Sequence, residues 1–238
     1  MAMISQSPAR HSAPPLIRSA AFLLQTSIQG SVMLPYALTI FLSAFLLFLV
    51  QPLIAKQILP WFGGAASVWT TCLLFFQSAL LAGYAYADAS VRWLRPRQQV
   101  YVHAALMLLS LALLPILANS SWKPSGNEEP ILRILGLLTV TIGLPYLLLS
   151  TTTPLLQAWY WRRFNASVPY RLFALSNFAS LLALLGYPVL IEPYFGVTAS
   201  ANLWSLMYGL FVVVCGLTGF YSIRNMPADA DVSRKQAN

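Results

Sequence analysis

The stretch Leu34–Lys56, LPYALTIFLSAFLLFLVQPLIAK, carries no charged side chain until its last residue. At ~1.5 Å rise per residue, a helix of this length covers the ~30 Å hydrocarbon layer of a bilayer. A transmembrane β-strand would alternate in polarity, and Phe41–Val50 does not. Lipid offers no partner for backbone N–H and C=O groups, so the chain must satisfy them within the helix. Five more stretches read the same way: Ser67–Ala87, Val100–Ala118, Ile131–Trp159, Leu172–Ile191 and Ala199–Tyr221.

Composition agrees with this count. Apolar residues make up 58% and charged ones 8% of the 238 residues, far from the balance of a soluble domain. The expected fold is all-α, a polytopic membrane protein with six transmembrane helices over residues 33–221. A tail of residues 1–32 precedes this domain and one of residues 222–238 follows it. The basic residues set the orientation. Arg10, Arg18, Arg92, Arg95, Arg97, Arg162, Arg163, Arg171, Arg224, Arg234 and Lys235 fall on one side, and Lys56, Lys123 and Arg133 on the other. The positive-inside rule makes the first side cytoplasmic, with both termini inside. Trp61, Trp69, Trp122 and Trp204 then fall near outer ends and Trp93, Trp159 and Trp161 near inner ends, as a headgroup-seeking belt would.

The net charge of +8 is explained by arginines facing an anionic leaflet. Nucleic acid is not an expected partner, since that would take a soluble basic domain. Cys72 and Cys215 lie in different spans at no metal or redox spacing and read as small packing residues. The segment before Met33 reads as a cytoplasmic tail, disordered or lying on the surface. Its apolar piece Ala20–Leu24 is too short and too soon broken by Gln25 for a signal peptide. Met33 is an alternative start.

The two halves share a pattern. Gln51-Pro52-Leu53-Ile54-Ala55 in span one answers Thr153-Pro154-Leu155-Leu156-Gln157-Ala158 in span four. Ser78–Tyr84, ending Gly83-Tyr84, answers Ser180–Tyr187, ending Gly186-Tyr187. With three crossings per copy, duplication makes an inverted 3+3 repeat, as within each half of a major facilitator; chance similarity of apolar sequence is the competing reading.

Polar residues inside spans are the candidates for chemistry. Span four is overlong, holds Pro145 and Pro154, and places Ser150, Thr151, Thr152 and Thr153 between them. Proline at 154 removes a backbone donor and crowds the Ser150 carbonyl. The hydroxyls then either line a polar site or merely stabilise a kink. Gln51, Thr70, Thr71, Gln77, Gln157, Ser176, Asn177 and Ser180 are the other polar residues within spans. For these, solute contact and interhelical hydrogen bonding are both open. Lys56 and Glu192 end spans one and five, where they form a gating ion pair or snorkel separately. His103 reads as an interfacial hydrogen-bonding residue, and Ser205, Gly209 and Gly216 as a packing stripe on span six. No metalloprotease, nucleophile-elbow or phosphate-loop motif occurs, so neither enzymatic activity, a metal nor a cofactor is expected.

Several strings together resemble a known family. They are Gln51–Lys56, Leu59-Pro60-Trp61-Phe62-Gly63-Gly64, Val68–Gln77, Ser150–Gln157, Pro169–Asn177 and Tyr187–Pro193. They are similar to the membrane part of bacterial fused major-facilitator/spermidine-synthase-like proteins, over residues 34–221. The resemblance implies a six-helix, transporter-half-like module in the bacterial cytoplasmic membrane. In that family a Rossmann-like aminopropyltransferase domain follows; this sequence has no glycine-rich nucleotide turn, so that activity is not carried over.

Two functions follow. One is a transporter-like module for a small polar or cationic solute, single or paired as a homodimer. Its site would be lined by Gln51, Thr70, Thr71, Ser150, Thr151, Thr152, Thr153, Gln157 and Asn177. The alternative is a membrane anchor or regulatory partner for a separately encoded spermidine-synthase-like enzyme, docked through the arginine-rich loops.

Overall fold

The computed structural model describes residues 15–124, 126, 129–164 and 170–224, with side chains from residue 33 onward. The expectations for residues 1–14 and 225–238 lie outside the described residues. Every regular element among those described is helical: α1 Pro15–Phe62, α2 Ala66–Trp93, α3 Pro96–Ser110, α4 Pro130–Leu138, α5 Leu144–Phe164, α6 Tyr170–Gly186 and α7 Val197–Arg224. A π-helical turn, Thr139–Gly143, joins α4 to α5, so that Pro130–Phe164 runs as one 35-residue helix. A second π turn, Tyr187–Ile191, extends α6.

Five segments are long and apolar enough to cross a membrane: Met33–Phe62, Ala66–Trp93, Pro130–Phe164, Tyr170–Ile191 and Val197–Arg224. They fit a multi-pass membrane protein. Large apolar side chains such as Leu81, Leu132, Leu185, Leu206 and Leu217 face outward, which costs nothing against acyl chains and would be an aggregation surface in water.

The third span differs from its expected Val100–Ala118. Its helix stops at Ser110, and one 3₁₀ turn, Leu111–Leu113, follows. Pro115 is the reason: a residue before proline is driven out of the α region, and Leu114 sits at φ −87°, ψ 151°. The irregular chain beyond is held from two sides. Gln57 of α1 donates from Nε2 to the Ile116 carbonyl (3.1 Å), and its Oε1 accepts from the Ala118 N–H (3.0 Å). Arg133 donates to three carbonyls, those of Trp122, Ser121 and Lys123, at 2.9–3.0 Å. Ile116–Lys123 is thereby bonded to both α1 and α4.

In lipid, helices associate through close packing and hydrogen bonds, because burying apolar surface gains little against acyl chains. Both devices are present. A Cβ on Gly83 would stand 1.7 Å from Ser150 Oγ, so α2 and α5 touch at that glycine. On α7 the close approach is Gly219, where a Cβ would meet Trp159 and Val100 at 3.1 Å. Gly209 and Gly216, expected to serve this purpose, have no neighbour so near. Tyr36 bonds Ser222 (2.6 Å), Thr39 bonds Thr218 (3.0 Å) and Ser110 bonds Tyr208 (2.7 Å), tying α7 to α1 and α3.

Two tryptophans depart from the interfacial belt. Trp204 is wholly buried and donates its indole N–H to the Leu46 carbonyl (3.0 Å), beside the midpoint of the α1 span. Trp159 is buried and donates to Gln99 Oε1 (3.2 Å), which also accepts from Arg162 (2.8 Å). An indole N–H in hydrocarbon needs an acceptor, and helix contacts supply it. Trp69, Trp93 and Trp161 do face outward.

Candidate functional site

Four helices carry polar side chains to one place. From α1 come Ser43 and Gln51, with Ala44, Leu47 and Phe48 on the same face at i, i+1, i+4, i+5, i+8 spacing. Residues Gln77, Leu80 and Tyr84 of α2 and Tyr146, Leu149, Ser150 and Thr153 of α5 repeat that helical spacing, and α6 adds Ser176. Together they line a cavity of about 180 Å³. This is room for on the order of six waters at ~30 Å³ each.

Its depth follows from the spans. The apolar stretch Leu34–Lys56 of α1 has its midpoint at Phe45, and the midpoint of Ala66–Trp93 falls between Ala79 and Leu80. The midpoint of Pro130–Phe164 is Leu147, and that of Tyr170–Ile191 lies between Ser180 and Leu181. Every lining residue is within about two turns of the midpoint of its apolar segment. Polar groups are thus gathered where the surrounding hydrocarbon would be thickest.

Part of this polarity is already committed. Gln51 donates from Nε2 to the Tyr146 hydroxyl (3.3 Å), bridging α1 and α5. The Tyr146 ring also packs on Phe76, centroid to centroid 5.0 Å. Ser43 and Ser150 donate to carbonyls of their own helices, those of Ile40 (3.1 Å) and Leu147 (2.7 Å). Among the described residues, the Gln77 amide and the Tyr84, Thr153 and Ser176 hydroxyls have no side-chain hydrogen bond to the protein.

Of the residues singled out in the sequence, Gln51, Gln77, Ser150, Thr153 and Ser176 line this cavity. The others lie elsewhere. Thr151 and Thr152 are buried and donate to the Leu148 carbonyl at 2.7 and 3.0 Å. Their hydroxyls are taken up by their own helix ahead of Pro154. Thr71 is buried and donates to the Ser67 carbonyl (2.8 Å), whereas Thr70 is exposed and donates to that of Ala66 (2.9 Å). Asn177 is exposed, and Gln157 is half-buried outside the cavity. Ser43, Tyr84 and Tyr146 were not anticipated. Lone polar residues in apolar runs were the available signal for Ser43.

Lys56 and Glu192 do meet. Nζ stands 3.3 Å from Glu192 Oε1 and 3.5 Å from its backbone carbonyl, with the side chains 33% and 45% exposed. The pair borders a second, wider pocket of about 500 Å³, which Trp69, Pro60 and Tyr187 also line. His103 differs from its expected interfacial bonding. It is buried between Tyr86 and Trp159, and neither ring nitrogen has a hydrogen-bond partner among the described residues. No cluster of potential metal ligands occurs among the described residues. Cys72 and Cys215 are free and buried.

No protein-family model, curated protein or solved structure matches this chain.

Proposed function

We propose that this chain is a transporter-like membrane module that binds a small polar solute in the cavity between α1, α2, α5 and α6. One observation carries the reading. Hydroxyls and amides from four membrane-length helices line one cavity, and the side chains of Gln77, Tyr84, Thr153 and Ser176, exposed or half-buried at its wall, are free to meet a solute. Polar groups at that depth are costly unless they serve a binding site or pathway. Transporter sites lie near the bilayer midplane, where discontinuous helices meet. The π turns at Thr139–Gly143 and Tyr187–Ile191 are local departures from α geometry, within one of the helices that supply the site and at the end of another.

In this reading both termini are cytoplasmic and the two halves are an inverted repeat. The Lys56–Glu192 pair closes the outer side as a gate, and a homodimer supplies the second half of a facilitator. The test is solute flux into proteoliposomes, comparing the wild type with Gln51→Leu/Gln77→Leu. Saturable flux of a small polar solute that the double variant loses is expected. Absence of any such flux across urea, glycerol and putrescine would count against transport.

The anchor or regulatory role is favoured by a different observation: Arg95, Arg97 and Arg171 are all exposed. The resemblance to fused synthase-like proteins supplies the partner for that reading. Copurification with a spermidine-synthase-like protein, abolished by Arg95→Glu/Arg97→Glu, is its test.

A further inference from the structure

We infer that the cavity selects an uncharged, hydrogen-bonding solute and rejects cations and anions; this rests on the cavity being the solute site. Among its lining residues there is no Asp, Glu, Lys, Arg or His. Lys56, a turn and a half further along α1, is the closest charged residue in sequence to Gln51, and its ammonium is taken by Glu192. A charged solute at the middle of four apolar helices would lose its hydration and meet no countercharge. That penalty dominates any gain from neutral hydrogen bonds.

What the walls offer instead is paired donors and acceptors. Gln77 presents an amide with both functions, and Tyr84, Thr153 and Ser176 present hydroxyls with both. Groups of this kind recognise amides, ureas and polyols, whose own donors and acceptors they match one for one. Aromatic rings are the one feature that would favour a cation. Phe48, Tyr84 and Tyr146 line the cavity, but the Tyr146 hydroxyl accepts from Gln51 and its ring packs on Phe76. No carboxylate lines the cavity to complete a cation site with Phe48 or Tyr84. The volume of about 180 Å³ restricts the solute to a small one.

Cysteine accessibility tests this without knowing the natural solute. Thr153→Cys on α5, and separately Ser176→Cys on α6, are made in the full-length chain in proteoliposomes. Wild type, with its buried Cys72 and Cys215, is the background control. Each is treated with three methanethiosulfonates: a neutral hydroxyethyl, a cationic trimethylammonium and an anionic sulfonate reagent, with rates normalised to a free thiol. The expected result is labelling by the neutral reagent at least about tenfold faster than by either charged one. Gln77→Glu, isosteric but anionic, should narrow the gap for the cation alone. Equal or faster labelling by the trimethylammonium reagent, the cation an aromatic cage would favour, overturns neutral selection while leaving a solute site. Labelling by none of the three at both positions overturns the solute site itself.

Discussion

Gly83→Ala is the perturbation that most directly probes how this bundle is held. The added Cβ would stand 1.7 Å from Ser150 Oγ, 2.9 Å from Ser150 Cβ and 3.0 Å from the Leu147 carbonyl oxygen. Carbon–carbon contacts are comfortable at about 3.5–4.0 Å. The hydroxyl can rotate away, at the cost of its bond to Leu147, but Ser150 Cβ and the Leu147 carbonyl move only with the α5 backbone. The helices must therefore separate by roughly 0.5–1 Å along this seam. Overpacking of that order costs about 1–3 kcal/mol. The usual gain from replacing a helical glycine, up to ~1 kcal/mol, is small here, because the unpacked helix in lipid is still a helix.

A loss of about 2 kcal/mol lowers a melting temperature by roughly 4–8 °C for a chain of this size. The assay is thermal unfolding in detergent, followed by size exclusion. Ser150→Gly added to Gly83→Ala should restore most of the loss, and Ser150→Ala only part, since its Cβ stays. Gly186→Ala, in the later Gly-Tyr pair of the sequence, has nothing within 4 Å and should be silent. A Gly83→Ala protein melting within about 1 °C of wild type would refute the reasoning, as would an equal fall for Gly186→Ala.

Three further outcomes are expected. Gln57→Leu strips partners from the Ile116 carbonyl and the Ala118 N–H, costing about 2–4 kcal/mol; hydrogen exchange at Ala118 should quicken at least tenfold. Trp204→Phe removes the donor to Leu46 and leaves part of the wholly buried indole's volume empty, and a loss of about 2–4 kcal/mol in a detergent melt is expected. The half-exposed Lys56–Glu192 pair should show a double-mutant coupling of only about 0.2–1 kcal/mol, fading at ~1 M salt; an undiminished coupling there would mean the pair is shielded from solvent.

Hydropathy alone determined the class of this protein, because a bilayer imposes length and apolarity on each crossing one residue at a time. Leu34–Lys56 is legible in isolation for that reason, and so are four of its companions. The third crossing was misjudged where a local rule overrode composition, at Leu114 before Pro115. The site was legible only in part, since which face of a helix meets a neighbour is not a property of that helix. Gln51, Ser150 and Thr153 stood out as polar residues in apolar runs, yet Thr70, Thr151, Thr152 and Asn177 stood out equally and point elsewhere. Hydroxyls in helices bond their own backbone as readily as a ligand, so their identity does not reveal their use. Rotation of α1, α2, α5 and α6 about their axes decided it. That rotation is set by contacts far apart in the chain: Gly83 against Ser150, Trp204 on the Leu46 carbonyl, Gly219 under Trp159.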